Sequence, residues 1–309
     1  MPPELAVVLT VRMASERLPG KVVADVKGQP LMAWIVQRIR PLGTVMIATT
    51  ALREDDTVAD VARGLSVPCY RGSAEDVVGR VAEAIAAHAP KAGYMLRALG
   101  DCPFLEMAFV QRAVSIMERE RADAFLWHLS PDCWPVYGAR EFPFSCMGFK
   151  TITDNAKGEE REHVDLWFHR HRERFNLVYH EAPDNTYFRP YRLEVDWPED
   201  LELVRRIAEG PGMLAPLADV IKFLDEHQDV ARLNRERVEM TGTSASYTYQ
   251  QRRAWMKMME GVGIITWEGG KWVPPDKAAM PVFCKAGRCH LGYGWKGILY
   301  ARDARMRGP

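Results

Sequence analysis

Between Val11 and Lys21 the chain reads Val-Arg-Met-Ala-Ser-Glu-Arg-Leu-Pro-Gly-Lys, which puts Arg12, Arg17 and Lys21 within ten residues, with Ser15, Pro19 and Gly20 among them. Guanidinium forks and a compact ammonium are the groups that grip a polyanion: Arg matches phosphate oxygens two at a time, and Lys acts as a point charge. The loop carries neither Gly-x-x-x-x-Gly-Lys-Ser/Thr nor Gly-x-Gly-x-x-Gly. Side chains, more than backbone amides alone, are therefore expected to hold the phosphates of a nucleoside triphosphate.

Two acids invite a metal reading. Asp101 lies in Arg97-Ala98-Leu99-Gly100-Asp101-Cys102-Pro103, and Asp196 in Leu193-Glu194-Val195-Asp196-Trp197-Pro198-Glu199-Asp200-Leu201. Mg²⁺ takes oxygen ligands from one or two carboxylates plus phosphate and water. Each acid also precedes a Pro-started helix and so equally fits an N-cap, with the Asp101 helix starting near Pro103 and Glu199 completing a capping box after Asp196. Glu199 and Asp200 suit a first helical turn, where the dipole favours acids. In Tyr70-Arg71-Gly72-Ser73-Ala74-Glu75-Asp76-Val77, Ser73 reads as an N-cap with Asp76 completing the box, while Arg71 and Gly72 suit the lining of a base or phosphate pocket. Arg161-Glu162-His163-Val164 places a cation and an imidazole at the start of a helix, where an anionic group of a substrate would bind.

The elements that position these groups follow from hydrophobic periodicity. Strands are expected at 5–11, 45–50, 68–70, 94–99 and 124–128, and helices at 31–40, 55–65, 74–88 and 104–121. Alternating strand and helix predict an α/β fold with a mostly parallel sheet, whose strand ends share one ligand-binding edge. Residues 129–160, broken by Pro131, Pro135, Gly138, Pro143 and Gly148, read as irregular or hairpin-like. A helix over 160–174, strands at 176–180 and 191–195, and helices at 198–209 and 216–227 complete the domain. Residues 240–247 read as a linker, 249–260 as a helix, and 264–267 with 272–273 as a hairpin around Glu268-Gly269-Gly270-Lys271.

Composition is that of an ordinary globular protein, 47% hydrophobic and 27% charged, which argues against disorder. No apolar run approaches the roughly 20 residues of a membrane span, and no signal-peptide pattern opens the chain, so a cytoplasmic protein is expected. The six cysteines are scattered, which favours free thiols, and Cys284-x4-Cys289-His290 fits no familiar zinc spacing. Charge is uneven. Residues 241–309 hold 11 Lys+Arg against 4 Asp+Glu, and the remainder holds 30 against 37. The chain therefore divides into residues 1–240 and a small basic extension, 241–309.

Taken in order, Arg-Met-x-Ser-x-Arg-Leu-Pro-Gly-Lys, Arg-Gly-Ser-x-x-Asp, Gly-Asp-Cys-Pro, Arg-Glu-His-Val and Val-Asp-x-Pro-Glu-Asp-Leu resemble the cytidylyltransferase family of spore-coat polysaccharide biosynthesis proteins, over about residues 4–230. That family is related to the synthetases of CMP-activated 3-deoxy-manno-octulosonate and sialic acids. The resemblance implies a Rossmann-like nucleotidyltransferase fold of the glycosyltransferase-A type. It also implies Mg²⁺-dependent transfer of CMP from CTP to an acidic sugar, with release of pyrophosphate. Position by position, it places Arg12, Met13, Ser15, Arg17, Lys21, Thr49, Arg71, Ser73, Asp76, Arg97 and Asp101 at the nucleotide, with Arg12, Lys21 and Asp101 catalytic. Asp101 and Asp196 match the metal ligands, and Arg161 and His163 the acceptor segment. Residues 131–157 match a dimerisation projection, which implies a homodimer. The chain departs from the family at Leu99 and at Asp165, where Thr is commoner, and the 241–309 extension has no counterpart there.

Two other readings remain open. The same fold serves glycosyltransferases that consume nucleotide sugars, although so many cations suit a triphosphate better. The extension, with Trp255, Trp267, Trp272, Tyr293, Trp295 and Tyr300 among its cations, also suits nucleic-acid binding.

Overall fold

Strand β1 (Leu5–Thr10) is buried at all six positions, as a strand in the middle of a covered parallel sheet must be. The computed structural model describes residues 4–127, 136, 138, 139, 141–180 and 191–234, with the backbone of two short strands at 266–268 and 271–273. After β1 come a small antiparallel pair, β2 (Asp25–Val26) and β3 (Gln29–Pro30), then helix α1 (Leu31–Ile39). The alternation continues with β4 (Thr44–Thr50), α2 (Asp56–Gly64), β5 (Cys69–Gly72), α3 (Val77–His88), β6 (Tyr94–Leu99), α4 (Met107–Glu120) and β7 (Ala124–Trp127). Then follow β8 (Pro143–Ser145), α5 (Cys146–Asn155), α6 (Leu166–Arg170), β9 (Leu177–His180), α7 (Pro198–Glu209), α8 (Leu217–Glu226) and α9 (Gln228–Ala231).

The seven strands lie in the order β5-β4-β1-β6-β8-β7-β9. The β1–β4, β1–β6 and β4–β5 pairs are parallel, while β8 runs antiparallel to both β6 and β7. The parallel strands therefore end together: Thr10 lies opposite Leu99 and Ala48, and Thr50 opposite Gly72. Gly100 closes this edge. A Cβ there would stand 2.3 Å from Val11 Cγ1, so only glycine lets the end of β6 lie this close to the end of β1.

The expected α/β alternation is present through β7, and three expectations further along change. Residues 143–155 are not irregular: β8 enters the sheet and α5 follows directly, with Ser145 Oγ capping it through the Gly148 amide at 2.8 Å. Pro143 is tolerated because it is the first residue of its strand. The helix expected over 160–174 is three short pieces, a 3₁₀ turn Gly158–Arg161, α6, and a second turn Arg172–Arg174. Only Val164, Trp167 and Phe168 supply buried apolar contacts within it, too few for a four-turn amphipathic stripe. Residues 191–195 form no sheet strand, only a single bridge at Arg192; the Val195 amide bonds to Asp101 O at 2.8 Å.

Described residues up to 125, with 136–178 and 191–234, cluster as one compact unit, and 266–268 and 271–273 belong to a second. Within that second unit β10 (Thr266–Glu268) and β11 (Lys271–Val273) form an antiparallel pair, with Trp267 opposite Trp272. The expected linker, the 249–260 helix, the Cys284/Cys289/His290 group and all of 129–135 lie outside the described residues. Among the described residues, Cys69, Cys102 and Cys146 are free thiols. No described helix is long and apolar enough to cross a membrane.

Candidate active site

The loop after β1 is pinned before it can bind anything. Asp55, fully buried at the start of α2, accepts the Met13 amide through Oδ1 at 2.6 Å. Its Oδ2 accepts the amide and hydroxyl of Thr50 at the end of β4. Sequence reading passed over Asp55, because an acid beside a helix start looks like a cap. Ser15 Oγ receives the Leu18 amide at 3.4 Å and so shapes the turn, leaving Arg12 exposed above it.

Lys21 turns inward. Its Nζ donates to Asp101 Oδ2 at 2.7 Å, to Asp196 Oδ1 at 2.9 Å and to the Val195 carbonyl at 2.9 Å. Burial on its own would lower the pKa of this ammonium, but the two carboxylates outweigh burial and hold it above the usual lysine value. Asp196 is also met by Arg17 at 2.7 Å and Arg192 at 2.5 Å. Burial opposes its charge, and these three cations hold its pKa below the ordinary carboxylate value. Arg17 also lies over the Trp197 ring, 5.8 Å from its centre.

Neither acid caps a helix. Helix α4 starts at Met107, past Pro103, and its cap is Glu106, which takes the Ala108 amide. At α7 the capping carboxylate is Asp200 rather than Glu199: Asp200 Oδ2 accepts the amides of Asp196 and Trp197, both at 2.9 Å. Freed from capping, Asp101 and Asp196 face Lys21. Asp101, Cys102 and Glu194 each put a ligand atom within 4.8 Å of the others. The Cys102 thiol, pushed well above its normal range by burial, stays protonated. The hard donors are thus the carboxylates, and they suit an oxygen-seeking cation such as Mg²⁺.

On the other side of the edge lies a cluster of arginines. Arg97, on β6, donates to Thr10 Oγ1 at 3.3 Å. Arg80, on α3, is 4% exposed and bonds the Ser73 carbonyl. Burial lowers its pKa, and the nearby charges of Arg12 and Arg97 lower it further. Asp55 and Asp76 offset part of that repulsion, and the guanidinium groups gathered here suit an anion. Arg80 was absent from the sequence-derived set, because an arginine on a helix reads as a solvated side chain.

The remaining candidates are spread around this centre. Arg71 staples the loop after β4, reaching the Thr50 carbonyl at 3.1 Å, the Leu52 carbonyl at 2.8 Å and Asp56 at 2.7 Å. Thr49 is fully buried within β4. Helix α3 begins three residues later than expected. Ser73 Oγ receives the Glu75 and Asp76 amides, and Asp76 is itself the cap, taking the Gly79 amide at 2.7 Å. The second oxygen of Asp76 meets Arg161 at 2.7 Å, so a candidate nucleotide ligand and a candidate acceptor ligand are paired with each other. His163 lies between the 158–161 turn and α6 rather than at the N-terminus of a long helix.

Acids also gather around Arg97. The pKa of Glu141 is pushed up to about 8 by burial and by Asp165, Asp101 and Glu194, with Arg97 pulling the other way. Asp165 is bonded by His169 Nε2 at 3.3 Å, and Arg172 donates to His169 Nδ1 at 2.9 Å, which leaves the ring proton on Nε2. Burial works against the charged form of Asp165, but the bond from His169 and the charge on Arg97 help bring its pKa to about 2.

This edge, with a cationic loop on β1 and two acids bridged by a lysine, can be set beside known proteins. A family model described as cytidylyltransferase matches residues 6–222. The chain belongs to the cytidylyltransferase family. As a member it is an enzyme of the nucleotidyltransferase class. It is 25% identical over 242 residues to the spore coat polysaccharide biosynthesis protein SpsF of Bacillus subtilis, covering 74% of this chain and 97% of that one. It is 34% identical over 123 residues to a 3-deoxy-manno-octulosonate cytidylyltransferase of Agrobacterium fabrum, a match that spans 39% of this chain and 49% of that protein. Among solved structures, a cytidylyltransferase from Leptospira borgpetersenii superposes with a TM-score of 0.66 at 20% identity, over 75% of this chain and 97% of the other, and shares the fold.

Proposed function

We propose that this cytidylyltransferase is Mg²⁺-dependent and transfers CMP from CTP to an acidic sugar or a related small acceptor, for surface polysaccharide or glycoconjugate biosynthesis. The observation that carries the reading is the Lys21 ammonium held between Asp101 and Asp196 at 2.7 and 2.9 Å. A cation already sits between two carboxylates at the ligand-binding edge of the sheet, and Arg17 meets one of the same carboxylates at 2.7 Å. The acceptor class rests on the relatives named above.

In the reaction, an acceptor oxygen bonds to the α-phosphorus as the bond from that phosphorus to the pyrophosphate oxygen breaks, and the acceptor proton passes to solvent. Asp101 and Asp196, with Glu194 beside Asp101, would hold Mg²⁺, which when bound offsets negative charge on the phosphates. Lys21 then exchanges its carboxylate partners for phosphate oxygens. Arg12, Ser15 and Arg17 hold the triphosphate from the loop, and Arg80 and Arg97 from the neighbouring elements. Met13, Thr49, Arg71, Ser73 and Asp76 shape the nucleoside pocket, and His163 borders the acceptor. Catalysis is positioning and charge stabilisation by prearranged groups.

The test is pyrophosphate release with Mg²⁺ and each of the four nucleoside triphosphates, across acidic and neutral sugars. The expected result is release with CTP and an acidic sugar, falling by about 100-fold or more in Asp101→Asn, with an unchanged melting temperature. Consumption of a nucleotide sugar without pyrophosphate would instead select the glycosyltransferase reading.

A further inference from the structure

We propose that Arg161 is a positioning residue rather than an acceptor ligand: it ties the turn bearing Arg-Glu-His-Val to the N-terminus of α3, so that a nucleotide bound beside α3 orders the acceptor side. The role of this tie rests on the proposed nucleotidyl transfer; the tie itself rests on geometry. Arg161 donates to Asp76 Oδ2 at 2.7 Å and to the Thr153 carbonyl, in the last turn of α5, at 3.0 Å. Its guanidinium is thus held between two helices. Both terminal nitrogens are engaged, Nη2 by Asp76 and Nη1 by the Thr153 carbonyl, which is the arrangement of a tie between elements.

The other end of the tie is equally specified. Asp76 uses its remaining oxygen to cap α3 through the Gly79 amide at 2.7 Å. A Cβ at Gly79 would stand 2.4 Å from Asp76 Oδ2 and 3.0 Å from the Arg161 guanidinium. Only glycine leaves room for the capping acid and the arginine together. The next residue is Arg80, which bonds the Ser73 carbonyl and whose amide bonds the Asp76 carbonyl at 3.0 Å. An anion that engages Arg80 therefore acts on the same 73–80 turn that holds Arg161. A continuous route runs from the arginine cluster through this turn to residues 158–165, where His163 and Asp165 lie.

The experiment is hydrogen exchange by mass spectrometry on the full chain, first without ligand. Arg161→Gln and Asp76→Asn should each raise exchange over 158–166 by about tenfold, a loss of about 1.4 kcal/mol, and the double variant should add nothing further. Asparagine keeps the capping oxygen of position 76, so α3 and strands β1, β4 and β6 should stay as protected as in the wild type. In a second arm, CTP with Mg²⁺ should slow exchange over 158–166 in the wild type but not in Arg161→Gln, and Arg161→Lys, which keeps the pair with Asp76, should regain much of that slowing. Unchanged exchange in both single variants, additive effects in the double variant, or equal slowing by CTP in Arg161→Gln would each overturn the proposal. If CTP protects no segment of the wild type, the nucleotide assignment and the communicating role fall together, while the ligand-free arm still decides whether the tie exists.

Discussion

Lys21 occupies the space for which a divalent cation would compete. Its ammonium stands between Asp101 and Asp196, so in the absence of nucleotide it is the counter-ion of both acids. Lys21→Met should therefore bind Mn²⁺ about tenfold more tightly than the wild type when no nucleotide is present, and yet use CTP poorly. Titration followed by electron paramagnetic resonance reads the first effect; equal Mn²⁺ affinity in the two proteins would refute the counter-ion role. Arg80 gives the complementary case. Arg80→Met removes a buried charge repelled by Arg12 and Arg97, so the ligand-free melting temperature should hold or rise while CTP affinity falls by about tenfold or more. Calorimetry and a melting curve check both halves. At this scale the sequence exposed residues whose neighbours in the chain already announce a loop: Arg12, Arg17, Lys21 and Asp101. It concealed Asp55 and Arg80, whose roles depend on burial and on partners far away in sequence. It also could not tell which of Glu199 and Asp200 turns back to cap, because that depends on side-chain direction in the first helical turn.

Among elements, the junction of β1 and β6 bears most on the site, since Asp101 leaves from it. Gly100→Ala would force a Cβ to 2.3 Å from Val11 Cγ1. The expected cost is about 1–3 kcal/mol, read as a lower denaturation midpoint, together with a loss of turnover as Asp101 shifts. A variant as stable and active as the wild type would show that the contact relaxes freely. The strands and helices up to β7 were legible because buried parallel strands are continuous apolar runs and their covering helices carry a clear apolar stripe. Residues 143–155 were not, because Pro143 and Gly148 look like breakers while serving as a strand start and a helix first turn. The 160–174 region misled in the opposite sense: its charged residues pair across turns, as Arg170 does with Glu159 and Glu160 at 2.6 and 2.8 Å, and these pairs hold short pieces without making one helix.

For the whole molecule, we propose that nucleotidyl transfer belongs to residues 1–240 and that the basic 241–309 extension is dispensable for it. A truncated protein ending at residue 240 should keep CTP affinity and pyrophosphate release within about twofold of the full chain, a difference of a few tenths of a kcal/mol. A large loss in either would make the extension part of the active protein. Arg12, Arg17, Lys21, Arg80, Arg97 and Asp101 all come from the first 101 residues. Asp196 arrives from far downstream, on a segment locked by Arg192, Asp200 and Asn234: the Asn234 amide bonds the Arg192 carbonyl at 3.0 Å and Asp200 Oδ1 at 2.7 Å. That lock has a consequence for biosynthesis. As the chain leaves the ribosome, the cationic loop, the β1–β6 junction and Asp101 emerge long before the acid that balances Lys21 and Arg17. Until then Lys21 can meet Asp101 but not Asp196, Arg17 lacks its carboxylate partner, and the bonds from Asn234 that hold this segment cannot form. The geometry around Lys21 and Arg17 is therefore completed only after the last strand of the sheet has been made.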